Sequence, residues 1–114
     1  MAEKEDILTK TYDLLLYLIP QLAKFPRDQK FLLGDRIEAL LLDYLEDMIQ
    51  AYYSKEKISI LEKSNLKLER LRYLVRLSHD LKCVSHERYG FVSEKINELG
   101  RIAGGWRKAV QNRK

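Results

Sequence analysis

The stretch FVSEKINELGRIAGGWRKAV, residues 91–110, decides the fold of this chain. Its apolar residues recur at intervals of 4, 3, 4, 3 and 4, which places them on one side of an α-helix. This apolar seam comprises Val92, Ile96, Leu99, Ala103, Trp106 and Val110. Such a seam is typical of helices packed side by side in a left-handed bundle.

Three further segments carry helical periodicity. The pattern predicts helices over about 7–24, 28–53, 58–82 and 87–111, joined by short connections. Asp6 and Asp28 are the expected N-caps, while Pro20 should kink or end the first helix. The buried stripe predicted for that helix consists of Leu8, Tyr12, Leu15, Ile19 and Leu22. Because no alternation of period two persists, the chain is expected to be all-α, one domain over residues 1–114, an antiparallel up-down-up-down four-helix bundle.

The third predicted helix has two apolar bands rather than one. The first comprises Ile60, Leu61, Leu68, Leu71 and Val75, and the second comprises Leu66, Tyr73, Leu74 and Leu77. One stripe is enough for a helix to join a monomeric bundle, so the second band predicts burial against a neighbouring molecule. Gly100 and Gly104 lie four residues apart, and we expect a close helix approach there that Gly104→Leu would damage.

Charge is distributed unevenly along the 114 residues. Residues 1–57 contain 8 Lys or Arg and 11 Asp or Glu (net −3), whereas residues 58–114, the basic half, contain 13 and 6 (net +7). This asymmetry favours a surface whose basic side meets a polyanion, although a solvated surface without a partner is the plain alternative. The polar opening, the lone Cys83 and the absence of a long apolar run predict a cytoplasmic protein without a membrane span.

No catalytic or metal-binding motif is evident. His79, Cys83 and His86 have helical spacing, but the helix is expected to break before His86 and no fourth zinc ligand follows. A Cys83–His86 nucleophile pair matches no catalytic arrangement, and the glycines lack a preceding strand for phosphate binding. We therefore predict no enzymatic activity, no cofactor and no metal.

The basic residues of the second half are the candidate binding residues. Arg72 and Arg76 share one side of the third helix, whereas Arg70 lies on another side. Arg101 and Lys108 are one heptad apart on the fourth helix, and Arg113 lies near the end of the chain. Arginine suits phosphate because its planar guanidinium makes two parallel hydrogen bonds.

Three blocks resemble the accessory variability determinant (Avd) proteins of diversity-generating retroelements. They are FPRDQKFLLGDRI (25–37), LERLRYLVRL (68–77) and GRIAGGW (100–106), in the same order and spacing. The wider superfamily includes four-helix proteins encoded within intervening sequences of bacterial 23S ribosomal RNA genes. The resemblance extends over nearly the whole chain.

The resemblance implies a four-helix bundle that assembles into a ring-shaped homopentamer and has no enzymatic activity. Such proteins bind nucleic acid and the retroelement's reverse transcriptase, and they support template-dependent mutagenic reverse transcription. By resemblance, Arg72, Arg76 and Arg101 are the first expected polyanion contacts, and charge alone adds Arg70, Lys108 and Arg113.

Two other hypotheses stay open from the sequence. One is an oligomeric scaffold of the ribosomal RNA intervening-sequence type, in which the arginines form ion pairs between subunits with the acidic half and no nucleic acid is bound. The other is an enzyme, which would need a pocket of converging polar groups. The sequence also leaves open whether the nucleic acid is DNA, RNA or a hybrid.

Overall fold

The computed structural model describes the backbone of residues 2–113 and the side chains of residues 6–113. Four helices follow one another along the chain: α1 (Ala2–Leu22), α2, α3 (Lys57–Asp80) and α4 (His86–Asn112). Helix α2 starts as a short α-helical segment (Arg27–Gln29), widens into a π-helical segment (Lys30–Gly34) and continues as α-helix (Asp35–Tyr53). Since residues 2–113 contain no strand, the predicted all-helical fold is confirmed.

Helix α1 differs from its prediction at both ends. It begins at Ala2 rather than near Ile7, so Asp6 lies within the helix and the predicted N-cap there is wrong. It ends at Leu22 rather than near Lys24. This end lies two residues after Pro20, the residue expected to kink or end the helix. The first residues are polar but include good helix formers, and apolar periodicity does not detect a helix of that composition.

The start of α2 is organised by Pro26 instead of the predicted cap Asp28. The Pro26 carbonyl accepts hydrogen bonds from the backbone N–H groups of Gln29 (2.9 Å) and Lys30 (2.8 Å). Asp28 occupies the first turn, where a carboxylate interacts favourably with the helix dipole. The backbone N–H of Asp35 donates to the Lys30 carbonyl, a bond that spans five residues and defines the π turn.

The connection between α3 and α4 is a tight reversal. Helix α3 ends at Asp80, two residues before the predicted Lys82, which takes a left-handed conformation at φ 66°. The N–H of Cys83 donates to the Ser78 carbonyl (2.8 Å) and that of Lys82 to the His79 carbonyl (2.9 Å), the paired bonds of a Schellman motif. Ser85 then caps α4 by accepting a hydrogen bond from the Arg88 N–H at 3.1 Å.

The helices close into a four-membered bundle. Each of α1 and α3 packs against both α2 and α4, and the short connections make sequence neighbours antiparallel. The bundle measures 48 × 22 × 20 Å. The seam predicted on α4 is buried from Val92 to Trp106, with Val110 half-buried. Within the described residues, none of the helices is both long and apolar enough to span a bilayer.

The predicted buried stripe of α1 is correct only in part: Leu15 and Leu22 are buried and Leu8 is half-buried. Tyr12 and Ile19 are exposed, and the core side is formed by Ile7, Thr11, Leu14, Leu15, Leu18 and Leu22. Helix α1 is apolar on two sides, so spacing alone does not select the side that turns inward. The second apolar stripe of α1, formed by Tyr12, Leu16 and Ile19, therefore lies on the surface.

This surface stripe continues onto α2. Tyr17 contacts Phe91, and Lys10 pairs with Glu98, so α4 lies on the opposite flank of α1 from the exposed stripe. Asp47 pairs with Lys67 of α3 on the far flank of α2. At about 100° per residue, the exposed residues of both helices then fall on their shared side. We call this surface the apolar face: Tyr12, Leu16, Ile19, Leu42, Ile49 and Tyr53.

The apolar face has an acidic border. Helical spacing places the exposed residues Asp13, Asp35 and Glu46 along its edges. The second band of α3 is smaller, with Leu66, Tyr73 and Leu77 exposed and Leu74 half-buried. Basic residues interrupt it, so the two exposed apolar surfaces differ in electrostatic character.

Candidate nucleic-acid interface

The six predicted binding residues are distributed along α3 and α4 and do not converge on one point. Arg72 and Arg76 lie on the side of α3 that faces α4, whereas Arg70 is exposed toward the α2 side. Arg101 and Lys108 are exposed opposite the buried seam of α4, and Arg113 is the exposed C-cap residue of that helix. The arrangement suits an extended polyanion better than a small ligand.

The Arg72 side chain forms a hydrogen bond and an ion pair within the bundle. Its Nε donates to the Asn97 Oδ1 at 3.1 Å, and its Nη1 pairs with the Glu69 carboxylate one turn earlier on α3. A Cβ on Gly100 would lie only 3.1 Å from the Arg72 Nη2, so the missing side chain of Gly100 makes room for this guanidinium. Arg72 therefore links α3 to α4, and reversing its charge should disturb that junction.

Arg76, by contrast, points largely into solvent. Its side chain is 65% exposed, and its nearest carboxylate oxygen, in Asp80, is 4.0 Å away. It borders a groove of about 320 Å³ between α3 and α4, which we call the polar groove. The groove is lined by Glu69, Arg72, Tyr73, Arg76, Tyr89, Ser93 and Asn97. A phosphate can reach Arg76 here without displacing a strong intramolecular ion pair.

Arg101 and Lys108 form the second basic group. Seven residues separate them on α4, which corresponds to about 10 Å along the helix axis. Within the described chain, neither they nor Arg70 form an ion pair. Their charges are available to an external polyanion.

Two sets of residues were not predicted from the sequence: the cations that form ion pairs between helices, and the polar residues that line the polar groove. Arg107 pairs with Glu62 of α3, and Lys67 pairs with Asp47 of α2 at 2.6 Å. Tyr89, Ser93 and Asn97 lie four residues apart on α4, a polar stripe that the spacing alone makes recognisable. The ion pairs have no comparable signal, because they depend on which turns of two helices lie side by side.

The histidines at the α3–α4 connection come together. The Nε2 of His79 lies 3.2 Å from the Nδ1 of His86, and the His79 ring stacks on Tyr89 at a centroid distance of 4.4 Å. Burial raises the pKa of the Cys83 thiol, which disfavours the nucleophilic thiolate. No group of three or more His, Cys, Asp or Glu side chains is placed to hold a metal ion among the described residues.

The expected close helix approach at Gly104 is not found within the bundle. Apart from the backbone of its own helix turns, a Cβ at Gly104 or Gly105 would meet no atom of the described chain within 4 Å. Among the glycines of α4, only Gly100 faces another helix closely, through Arg72 and Leu68. Gly104→Leu is therefore not expected to disturb packing inside the subunit, because Gly104 faces open space whereas Gly100 faces α3.

A comparison with family models matches residues 7–110 to the model described as bAvd-like. The match covers nearly the whole chain, including the three blocks at 25–37, 68–77 and 100–106. A search of curated proteins found no match.

Proposed function

The chain belongs to the bAvd-like family, and from this membership and its separation of charge we propose that it is a non-catalytic accessory protein of a retroelement. In this proposal it binds nucleic acid and the element's reverse transcriptase, and it supports template-dependent mutagenic reverse transcription. The resemblance of the sequence to Avd proteins supplies the reaction and the enzyme partner.

The observation that carries nucleic-acid binding is the distribution of exposed cations. Arg76, Arg101 and Lys108 project from α3 and α4, whereas α1 and α2 present the apolar face with its acidic border. A phosphate chain is attracted to the first surface and repelled by the second. This distribution of charge supports a preference of the polyanion for the side formed by α3 and α4.

Self-association through the apolar face completes the proposal. Six large apolar side chains on one exposed surface are typical of a protein–protein contact rather than of a solvated monomer. A ring-shaped homopentamer, as the resemblance implies, would repeat the basic surface of α3 and α4 around the assembly. Repetition strengthens binding without new contacts, because successive sites engage one polyanion.

Salt-dependent binding of an RNA–DNA hybrid tests the nucleic-acid part. For Arg76→Ala combined with Arg101→Ala we expect at least about a tenfold loss of affinity at low salt, since a hydrogen bond to a charged group contributes about 1.5–3 kcal/mol and about 1.4 kcal/mol is already tenfold. The slope of log affinity against log salt should fall by about 0.7–0.9 for each lost phosphate contact. Lys24→Ala, an exposed cation in the α1–α2 connection, is the matched control and should bind normally. Equal affinity of the double variant and the wild type would contradict the assignment.

A scaffold without nucleic-acid binding is the second candidate, and one ion pair between the basic and acidic halves favours it. Lys67 of the basic half pairs with Asp47 of the acidic half at 2.6 Å, so part of the basic charge already serves a protein contact. If the wild-type protein binds neither DNA, RNA nor the hybrid at low salt, the scaffold function replaces the proposed one.

A further inference from the structure

The polar groove between α3 and α4 combines an exposed aromatic ring with an exposed cation. We infer that it binds an unpaired nucleotide, with Tyr73 stacking on the base and Arg76 contacting a neighbouring phosphate. This inference rests on the proposed nucleic-acid binding and specifies the form of the ligand: a single strand in preference to a duplex.

Tyr73 is placed as a stacking platform. Its side chain is 69% exposed, and it stands on the ridge of α3 between the polar groove and a groove shared with α2. It lies three residues from both Arg70 and Arg76, so a base on its ring has cations on either side. Aromatic rings interleaved with basic residues are the usual construction of sites for unpaired strands.

The geometry disfavours a paired base. In a duplex each base is covered on both faces by its neighbours, and only an unpaired base offers a face to a protein side chain. The groove volume of about 320 Å³ lies at the small end of the range for ligand sites, roughly 300–1,000 Å³. A single base suits a groove of this size, whereas a double helix is about as wide as the whole bundle.

The groove also supplies hydrogen-bonding groups for the base edge. The Asn97 Oδ1 accepts one hydrogen bond from Arg72, so this amide keeps its two N–H donors and one further acceptor position. The Ser93 hydroxyl both donates and accepts. These groups match several base edges, so the site should tolerate different bases.

An exposed aromatic ring outside both surfaces provides an internal comparison. Phe31 is 60% exposed in the π turn of α2 and belongs neither to the polar groove nor to the apolar face. Phe31→Ala removes an exposed ring and leaves both surfaces intact. It is therefore the matched control for Tyr73→Ala.

The experiment measures fluorescence anisotropy of labelled poly-uridine RNA and of an RNA–DNA hybrid of the same length, at low salt. For Tyr73→Ala we expect affinity for the single strand to fall about fivefold or more, because stacking contributes on the order of 1–3 kcal/mol per base, with the hybrid affected much less. Tyr73→Phe keeps the ring and should bind like wild type, as should Phe31→Ala. Circular dichroism and light scattering verify that fold and oligomeric state are unchanged.

Three results would overturn the inference. They are unchanged affinity of Tyr73→Ala for the single strand, an equal loss for both probes, and a changed oligomeric state with normal affinity. The last result would assign Tyr73 to a protein contact. If any one of these results is found while Arg76→Ala with Arg101→Ala still weakens binding, the proposed function stands without the nucleotide site. If the wild type binds neither probe, both fall together.

Discussion

The two halves of the bundle expose different chemistry although they share one core. Helices α1 and α2 present the apolar face with an acidic border, and α3 and α4 present the polar groove and unpaired cations. Carboxylates repel phosphate and a charged groove is costly to cover with apolar surface, so the two surfaces suit different kinds of partner. In the proposed function, self-association and polyanion binding would therefore use opposite helix pairs of one small bundle.

The largest expected effect comes from a charge placed in the apolar face. Leu16 is exposed near the middle of the α1 stripe, so Leu16→Asp should leave the fold intact but place an unpaired carboxylate in any interface there. We expect at least about a 100-fold weaker assembly, since a buried unpaired charge costs several kcal/mol. Light scattering over a range of concentrations measures it. Leu66→Asp on α3 is the control, and dissociation by that variant alone would move the interface to the other half.

An intermediate effect separates two glycines of α4. Gly104→Ala should raise the free energy of unfolding by about 0.5–1 kcal/mol, because it restricts the unfolded chain and meets no neighbour in the subunit. Gly100→Ala should raise the free energy of unfolding by less than this or lower it, since its Cβ would crowd the guanidinium of Arg72. Urea denaturation of both variants checks the order. A destabilised Gly104→Ala would reveal a packing contact made only in the assembly.

The smallest effect concerns the ion pair that joins α1 to α4. The Lys10 Nζ lies 3.1 Å from the Glu98 Oε2, and this hydrogen bond lowers the pKa of Glu98 and raises that of Lys10. The depressed pKa of Glu98 means that the pair stabilises the fold above the ordinary glutamate range. This contribution is lost as pH falls through the lowered pKa. Glu98→Gln should therefore flatten the acid side of the stability curve slightly, as measured by denaturation at a series of acidic pH values. An unchanged curve would show that the pair does not help to hold the halves together.

The number and type of helices could be predicted because the apolar periodicity is strong in every segment. The buried seam of α4 was correctly predicted from Val92 to Trp106. The inward side of α1 was predicted only in part, with Leu15 and Leu22 buried but Tyr12 exposed, since that helix has two apolar stripes and only the packing of its neighbours distinguishes them. The π turn also left no pattern, because one added residue shifts a helix without altering its composition.

The candidate site was predicted less completely than the fold. Arg72 and Arg76 look equivalent in sequence, yet one bridges two helices and the other extends into solvent. Which cation contacts Asn97 or Glu62 depends on how far α3 and α4 are shifted along each other. This axial offset cannot be inferred from a single sequence. Whether the exposed cations contact phosphate stays a prediction.

The π turn at the start of α2 makes this part of the chain tolerant of a change in length. It holds one residue more than an α turn, and its exposed residues include Phe31 and Leu32. Deleting one of them would convert the wide turn to a regular one while the residues from Asp35 onward keep their places. The same deletion in the middle of α3 or α4 would rotate one part of the helix by about 100° relative to the other and turn core residues outward. Relatives that differ from this chain by a single residue in length are therefore expected to carry the gap between positions 30 and 34.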